Sequence, residues 1–201
     1  EVSASQIYEY DAVELGIPLD DISEGAMLVC RTLQNAGFDG YLVGGCVRDW
    51  MLDMHPKDFD VATNATPEQI RPLFKRARII GRRFKLVHVH HKREMIEVAT
   101  YRAEPGKNSQ HHKQSQSGRV LRDNVYGNLA DDAQRRDFTV NALYLDPIAE
   151  IVMDYQGGVD DIDDHRLALI GDPDKRFAED PVRMLRALRF KAKLDFDIPA
   201  E

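Results

Sequence analysis

Two adjacent glycines, Gly44 and Gly45, separate a short apolar strand pattern at residues 40–43 from a short helical pattern at residues 46–52. Because glycine has no side chain, such a pair allows a sharp turn and lets a ligand approach the main chain closely. A helix that begins at the turn offers free amide groups and the positive end of its dipole to an anion. The sequence therefore predicts a strand–turn–helix unit with a phosphate-binding site at the turn. Arg48 places a cation nearby.

Two aspartates, which we call the acid pair, follow at Asp58 and Asp60 and flank Phe59. Residues two apart on a strand point to the same face, so a strand at residues 58–62 buries Phe59 and projects both carboxylates together. Carboxylates this close repel each other unless a cation lies between them. Mg²⁺ is the natural partner, because it is typically held by one or two carboxylates plus substrate phosphates. The acid pair is thus a candidate metal site, and exposed strand acids without a ligand are the alternative.

Glu97 is a candidate third carboxylate. It is a single acid among apolar neighbours, so on a strand it faces away from the core and can join the acid pair if the two strands are adjacent. The alternative is a surface residue on an edge strand. His88 and His90 share a strand face, but no Cys or carboxylate partner shows zinc-like spacing, so they are interpreted as ordinary strand residues.

Strand patterns dominate the first three quarters of the chain, and a helical pattern ends it. Apolar residues at intervals of three and four predict helices, and alternation predicts strands. Thr66, Pro67 and Gln69 form a capping box that starts a helix reaching about residue 75, although Pro72 can shorten it. The other predicted segments are a helix at residues 22–36, strands at residues 78–80, 86–90 and 95–101, a mixed stretch at residues 124–141, a hairpin at residues 142–154 and a helix from residue 177.

These patterns divide the chain into three segments. Residues 1–21 carry little periodic signal and are interpreted as a mobile or loosely docked lead. Residues 22–155 form the main domain, within which the polar, low-complexity residues 104–119 predict a mobile loop. Residues 156–201 begin a helical region, and we expect further C-terminal helices to be absent from this chain.

Composition narrows the class of protein. Of 201 residues, 43% are hydrophobic and 30% charged, which is typical of a globular protein. No apolar run approaches the roughly 20 residues of a membrane span, and the N-terminus lacks the features of a signal peptide. Cys30 and Cys46 form no metal-like spacing and no disulfide framework, which favours a reducing cytoplasm. The net charge of −7 argues against tight binding of a long polynucleotide by this chain alone.

The glycine pair and the acid pair belong to a larger set of motifs. Residues 42–49 (LVGGCVRD) and 58–63 (DFDVAT) resemble the head of the class II tRNA nucleotidyltransferase and bacterial poly(A) polymerase family. Residues 135–143 (RRDFTVNAL) resemble its second motif, and residues 179–186 (EDPVRMLR) resemble its nucleotide-selecting neck motif. Together, in family order, they are far more specific than a lone Asp-x-Asp. The resemblance implies an α+β fold: a nucleotidyltransferase, polymerase-beta-like head with a mixed sheet, followed by the start of an all-helical neck.

The resemblance also implies roles for individual residues. Asp58 and Asp60 would hold two Mg²⁺ ions, one activating the RNA 3′-hydroxyl and the other steadying the triphosphate and the leaving pyrophosphate. The phosphates would lie against Gly44, Gly45 and Arg48. The remaining nucleotide contacts that it implies are Arg136, Asp137 and Asn141 from the second motif and Asp180, Arg183 and Arg186 from the neck. Asp180 and Arg183, one helical turn apart, would read the base edge in place of a template, and an ordinary intrahelical ion pair is the alternative.

Residues 79–89 (IIGRRFKLVHV) bear on the branch of the family. They resemble the poly(A) polymerase branch, whereas the CCA-adding branch usually has a Gly-Thr-containing sequence there. Residues 121–124 and 132–134 also resemble the poly(A) polymerase branch. The expected enzyme is a cytoplasmic polynucleotide adenylyltransferase. It would use ATP as substrate and an RNA 3′ end as partner, with the RNA held mostly by the missing C-terminal helices. A CCA-adding enzyme and a non-catalytic nucleotide-sensing or RNA-binding module on the same fold remain as alternatives.

Overall fold

The computed structural model describes residues 6–103, 126–171 and 193–197. Within these residues the strands are β1 (Tyr8–Asp11), β2 (Tyr41–Val43), β3 (Asp60–Thr63), β4 (Ala77–Ile80), β5 (Leu86–His91), β6 (Glu94–Thr100), β7 (Leu143–Asp146) and β8 (Ile151–Asp154). The α-helices are α1 (Glu24–Asn35), α2 (Gly45–Met51), α3 (Pro67–Ile70), α4 (Leu129–Arg135) and α5 (Gly158–Asp163). Short 3-10 helices lie at Leu19–Asp21, Arg71–Leu73 and Thr139–Asn141. No helix in the described ranges is long and apolar enough to cross a membrane.

All eight strands form a single sheet in the order β1-β8-β7-β2-β3-β6-β5-β4. Neighbouring strands are antiparallel except β3 and β6, which run parallel. The strands that carry the glycine turn and the acid pair, β2 and β3, therefore occupy the centre of the sheet. The prediction of an α+β head with a mixed sheet is confirmed.

Alternation along the strands divides the side chains between two faces of the sheet. One face, the helix face, packs against α1 and α2 and forms the main core, which includes Val29, Leu33, Leu42, Trp50, Val61 and Val98. The opposite face, the site face, carries a smaller apolar cluster made of Val43, Ala62, Tyr101, Ala133, Tyr144 and Met153. Because this second cluster involves only part of the sheet, polar side chains have room on the rest of the site face.

The helix starts follow the local sequence signals. The Ser23 side chain accepts the amide of Ala26 at 3.1 Å and caps α1. The capping box of Thr66 and Gln69 is present at the start of α3, as predicted. The helix is shorter than predicted, however: α3 ends at Ile70 and a 3-10 turn carries the chain to Leu73. Pro72 explains the difference, since it has no amide hydrogen to continue the α-helical ladder.

The interpretation of residues 1–21 as a loosely docked lead is wrong for the part that the structure describes. Tyr8–Asp11 forms β1 and pairs with β8 at the edge of the sheet. Ala12 and Ile17, which follow, are buried in the main core. A four-residue edge strand derives its stability from its partner strand and the surface below it, so its own periodicity gives little sign of it.

The core continues past residue 155, where the sequence patterns place the end of the main domain. Val159, Ile162 and Leu167 are buried in the main core, and α5 packs against the 3-10 turn Thr139–Asn141. The helical pattern predicted from residue 177 and the loop predicted at residues 104–119 lie outside the described residues.

Asp154 holds the connection between β8 and α5. Its fully buried carboxylate accepts the amides of Gln156, Gly157 and Gly158 at Oδ1 and of Val159 at Oδ2, at 2.9 to 3.1 Å. Removing the carboxylate leaves these donors without their acceptor.

We expect Asp154→Ala to lower the free energy of unfolding by about 3 kcal/mol, because buried donors lose their partner. Urea denaturation measures the change. The matched control is Asp163→Ala, an exposed aspartate of α5, for which a change within about 0.5 kcal/mol is expected. A loss below 1 kcal/mol for Asp154→Ala would show that water replaces the carboxylate.

Candidate active site

Asp60 and Glu97 meet on the site face at the centre of the sheet. Asp60 is opposite Val43 of β2 on one side and opposite Glu97 of β6 on the other. His88 of β5 is opposite Glu97, and Arg78 of β4 is opposite His88. Directly opposed residues on neighbouring strands share a face of the sheet. Asp60, Glu97, His88 and Arg78 therefore form a line of polar side chains, which we call the charged row, from the centre of the sheet to the β4 edge.

Asp58 lies just before β3, which begins at Asp60, two residues later than predicted. Phe59 is buried, and its ring centroid lies 5.6 Å from that of Trp50. Both aspartates are exposed. The burial of Phe59 thus anchors this segment and leaves the acid pair on the solvent side, as the sequence predicts.

Asp60 lies among other negative charges. Partial burial, the charge and hydrogen bond of Glu97 and the charge of Asp58 raise the pKa of Asp60 to about 6, against the opposing charge of Arg136. A divalent cation would relieve this repulsion. The described residues contain no group of three or more His, Cys, Asp or Glu side chains arranged around one metal position. A site with only two carboxylates still fits Mg²⁺, because one or two carboxylates and substrate phosphates usually hold this ion.

The raised pKa of Asp60 makes stability depend on pH. Below about pH 4 the Asp60 carboxyl is protonated in both the folded and the unfolded chain. Between about pH 4 and 6 it is mostly protonated in the folded chain and mostly ionised in the unfolded chain. We therefore expect this contribution to the free energy of unfolding to be lost as pH rises from about 4 to about 6. Mg²⁺ should restore stability above pH 6 and change it little at pH 4.

Thermal unfolding at the two pH values, with and without Mg²⁺, measures this effect. The control is Asp60→Asn, which lacks the titrating group and should show a smaller dependence on both pH and Mg²⁺. An equal Mg²⁺ effect in the variant and the parent chain would exclude Asp60 as a ligand.

The glycine turn follows β2 directly and so lies beside Asp60. Gly44 has φ 81° and ψ −134°, a conformation that glycine adopts readily and other residues adopt only under strain. α2 begins at the next residue, Gly45, one residue earlier than predicted. The thiol of Cys46 is buried in this turn, and burial raises its pKa to about 12, so it stays protonated and is no nucleophile at neutral pH.

The structure places Arg48 beneath the glycine turn, which differs from the expectation of a cation available to phosphate. Arg48 is only 4% exposed. Its guanidinium donates to Asp49 Oδ1 at 2.9 and 3.0 Å and to Asn141 Oδ1 at 2.7 Å. These bonds tie α2 to the 3-10 turn Thr139–Asn141. The geometry thus shows Arg48 and Asn141 as supports of the glycine turn, and their expected contacts with the nucleotide stay predictions.

Asp132 organises two arginines above the site face. This buried carboxylate accepts Arg136 Nε at 3.2 Å and Nη2 at 3.0 Å, Arg135 Nη2 at 3.0 Å, and the Tyr144 hydroxyl. Although burial alone raises it, the two guanidiniums hold the pKa of Asp132 below its usual value. Arg136 also lies over the Tyr144 ring, with its Cζ 5.6 Å from the centroid. Two cations thus share one carboxylate, and the charge of Arg136 partly opposes the rise in the pKa of Asp60.

The other residues expected to contact the nucleotide divide into two groups. Asp137 is half-buried at the end of α4 and accepts the Phe138 amide at 2.8 Å. The neck residues Asp180, Arg183 and Arg186 lie outside the described residues. Their expected roles stay predictions.

Three neighbours of the site were not assigned to it from the sequence. His88 Nε2 lies 3.6 Å from Glu97 Oε1, although the sequence suggests only an ordinary strand residue. Asp132 stands four residues before Arg136, a spacing that brings two side chains together on a helix. This spacing is the sequence feature from which the contact between Asp132 and Arg136 could have been predicted. Tyr144 had no such signal, because its contact with Asp132 depends on how β7 packs against α4.

Comparison with known proteins places this arrangement in a family. Residues 40–168 match the family described as Poly A polymerase head domain. Poly(A) polymerase I of Haemophilus influenzae is 53% identical over 92% of this chain, which spans 41% of that protein. The CCA-adding enzyme of Lactobacillus helveticus is 41% identical over 90% of this chain, which spans 43% of that enzyme.

The fold agrees with these similarities. The crystal structure of the Bacillus stearothermophilus CCA-adding enzyme in complex with CTP superposes with a TM-score of 0.73 at 34% identity. The alignment covers 88% of this chain and 40% of that structure. The chain therefore belongs to the Poly A polymerase head domain family.

Proposed function

We propose that this chain supplies the catalytic head of a template-independent nucleotidyltransferase that adds AMP from ATP to RNA 3′ ends. One observation carries the proposal: Asp60 has Glu97 on one side and the glycine turn with Arg136 on the other. Such a site can accommodate a divalent cation and a polyphosphate together. The higher identity to poly(A) polymerase I than to the CCA-adding enzyme, 53% against 41%, supports adenylate transfer.

The residues of the chain have distinct tasks in this proposal. The triphosphate lies over the glycine turn and beside Arg136, which Asp132 and Tyr144 hold in place. Asp58 and Asp60 would hold two Mg²⁺ ions, which when bound would neutralise the phosphates and favour ionisation of the attacking hydroxyl. The RNA 3′-oxygen forms a bond to the α-phosphorus as the bond from that phosphorus to the pyrophosphate oxygen breaks; pyrophosphate leaves, and the hydroxyl proton passes to water.

In this proposal, selection of the base and most of the RNA binding depend on residues other than those of the site face. Asp180 and Arg183 would read the adenine edge, and Arg186 would be a further contact to the nucleotide. This chain spans 41% of the H. influenzae relative, and the regions that correspond to the rest would hold the body of the RNA. Cys30 and Cys46 are buried as free thiols, which supports the reducing cytoplasm as the place of action.

CCA addition is the second candidate, since the relatives include CCA-adding enzymes and one matching structure is a complex with CTP. Calorimetry of ATP and of CTP binding with Mg²⁺ separates the two candidates. We expect ATP to bind in preference to CTP, and binding to weaken in the Asp58→Ala/Asp60→Ala variant. Comparable binding of both nucleotides would favour CCA addition, and binding of neither would contradict both candidates for this chain.

A further inference from the structure

We propose that the last nucleotides of the acceptor RNA lie across the charged row and reach Asp60 from the β4 edge of the sheet. This inference rests on the proposed nucleotidyl transfer and gives its second substrate a location. Asp60 has different neighbours on its two sides, with β2 on one side and β6 on the other. The glycine turn and Arg136 occupy one side, where the triphosphate is placed, so the acceptor hydroxyl must come from the side of β6, β5 and β4 for an in-line attack.

The strands on that side present an open site face. Arg78 and His90 are exposed, and Met95 and Ile80 are 46% and 36% exposed. On the other half of the same face, Tyr144 is fully buried beneath Arg136. The charged row crosses three strand spacings, about 14 Å in all. That length matches about four stacked nucleotides at ~3.4 Å each.

A basic turn at residues 81–85, between β4 and β5, continues this surface and begins three residues after Arg78, the last member of the charged row. Phe84 is 49% exposed, and the Arg102 guanidinium carbon lies 4.3 Å from the centroid of its ring. Arg82 is exposed, while Lys85 lies 4.0 Å from Glu68 and is partly neutralised. The turn depends on Gly81, where φ is 100° and a Cβ would collide with the Phe84 carbonyl oxygen.

This combination fits single-stranded RNA. Single-strand sites pair cations that follow the backbone with aromatic rings on which bases stack. Arg78 and Arg82 supply cations along one edge, and Phe84 supplies a ring whose position Arg102 restrains. His88 and Glu97 stand between that edge and Asp60 and can bond to ribose hydroxyls. Arg78 and Arg82 also make this edge locally positive, so a chain with a net charge of −7 can bind a polyanion there.

Fluorescence anisotropy with a short 5′-labelled oligoadenylate tests the proposal, with ATP binding measured in parallel. In Arg78→Ala/Arg82→Ala we expect the Kd for RNA to rise at least about tenfold at low salt. The slope of log Kd against log salt should fall by about 1.4, the value for two lost contacts to a single strand. Phe84→Ala should weaken RNA binding by about five- to a hundredfold, and Phe84→Trp should retain it. ATP affinity should be unchanged in all of them.

The matched control is Arg31→Ala, because Arg31 is an exposed arginine of α1, the helix that packs on the helix face. It should leave RNA binding and its salt slope unchanged. The proposal is overturned if the β4-edge variants bind RNA as the parent chain does, if Arg31→Ala weakens binding equally, or if the parent chain binds ATP but no RNA. Failure to bind ATP would instead contradict the proposed function itself.

Discussion

Replacing Asp58 and Asp60 together by asparagine is expected to lower Mg²⁺-dependent AMP transfer to an RNA 3′ end by at least about 10³-fold. Asparagine keeps the size of each side chain but removes the charge that would hold the metal. Release of pyrophosphate and incorporation of labelled AMP measure the loss. Stability should not fall, because Asp60 is ionised at neutral pH against an unfavourable surrounding that raises its pKa to about 6.

Asp163→Asn/Asp164→Asn is the control for this pair, since both residues are exposed aspartates on the chain surface. Its activity should match that of the parent chain. If the Asp58→Asn/Asp60→Asn variant also keeps full activity, the catalytic assignment of the acid pair is wrong. If the parent chain binds ATP but transfers nothing, even when the regions that complete its relatives are supplied, the nucleotide-sensing alternative gains support.

Asp132→Ala is expected to cause the largest loss of stability, about 3 to 5 kcal/mol. The substitution leaves Arg136 and Arg135 without the buried carboxylate that they share and frees the Tyr144 hydroxyl. Tyr144→Phe keeps the ring and removes two hydrogen bonds of the hydroxyl, one donated to Asp132 and one accepted from Arg136 Nε, so it should cost only about 1 to 2 kcal/mol. Urea denaturation of both variants measures the graded effect. Equal losses in the two variants would contradict the central role of Asp132.

Comparison of Tyr144→Phe with Asp132→Asn tests whether Asp132 acts on the nucleotide through Arg136. Tyr144→Phe leaves the Arg136–Asp132 ion pair in place, so ATP affinity should change little. Asp132→Asn keeps the shape of the side chain and loses the charge, so Arg136 is less firmly oriented and ATP affinity should fall about tenfold or more. A variant that is destabilised but binds ATP normally would show that Asp132 is structural only.

Local patterns predicted much of the secondary structure and the metal-binding candidates. The capping box at Thr66, the glycine turn and the burial of Phe59 between two exposed aspartates depend on residues a few positions apart. The same rules missed β1, whose four residues depend on pairing with residues of β8 that lie 140 to 146 positions further along the chain. They also gave no sign that Asn141 and Asp49 hold Arg48 beneath the turn.

The sequence by itself indicated the glycine turn, the acid pair and Glu97 as candidates, because strand alternation, glycine turns and helix caps act over a few neighbouring residues. Only the tertiary structure decided how these groups face one another. The register of β3 with β6 brings Glu97 opposite Asp60, and the packing of α4 over β7 brings Asp132 to Tyr144. Both contacts join elements through a sheet register and a packed core, in which a shift of one residue turns every side chain to the other face. No spacing within a single element carries that information.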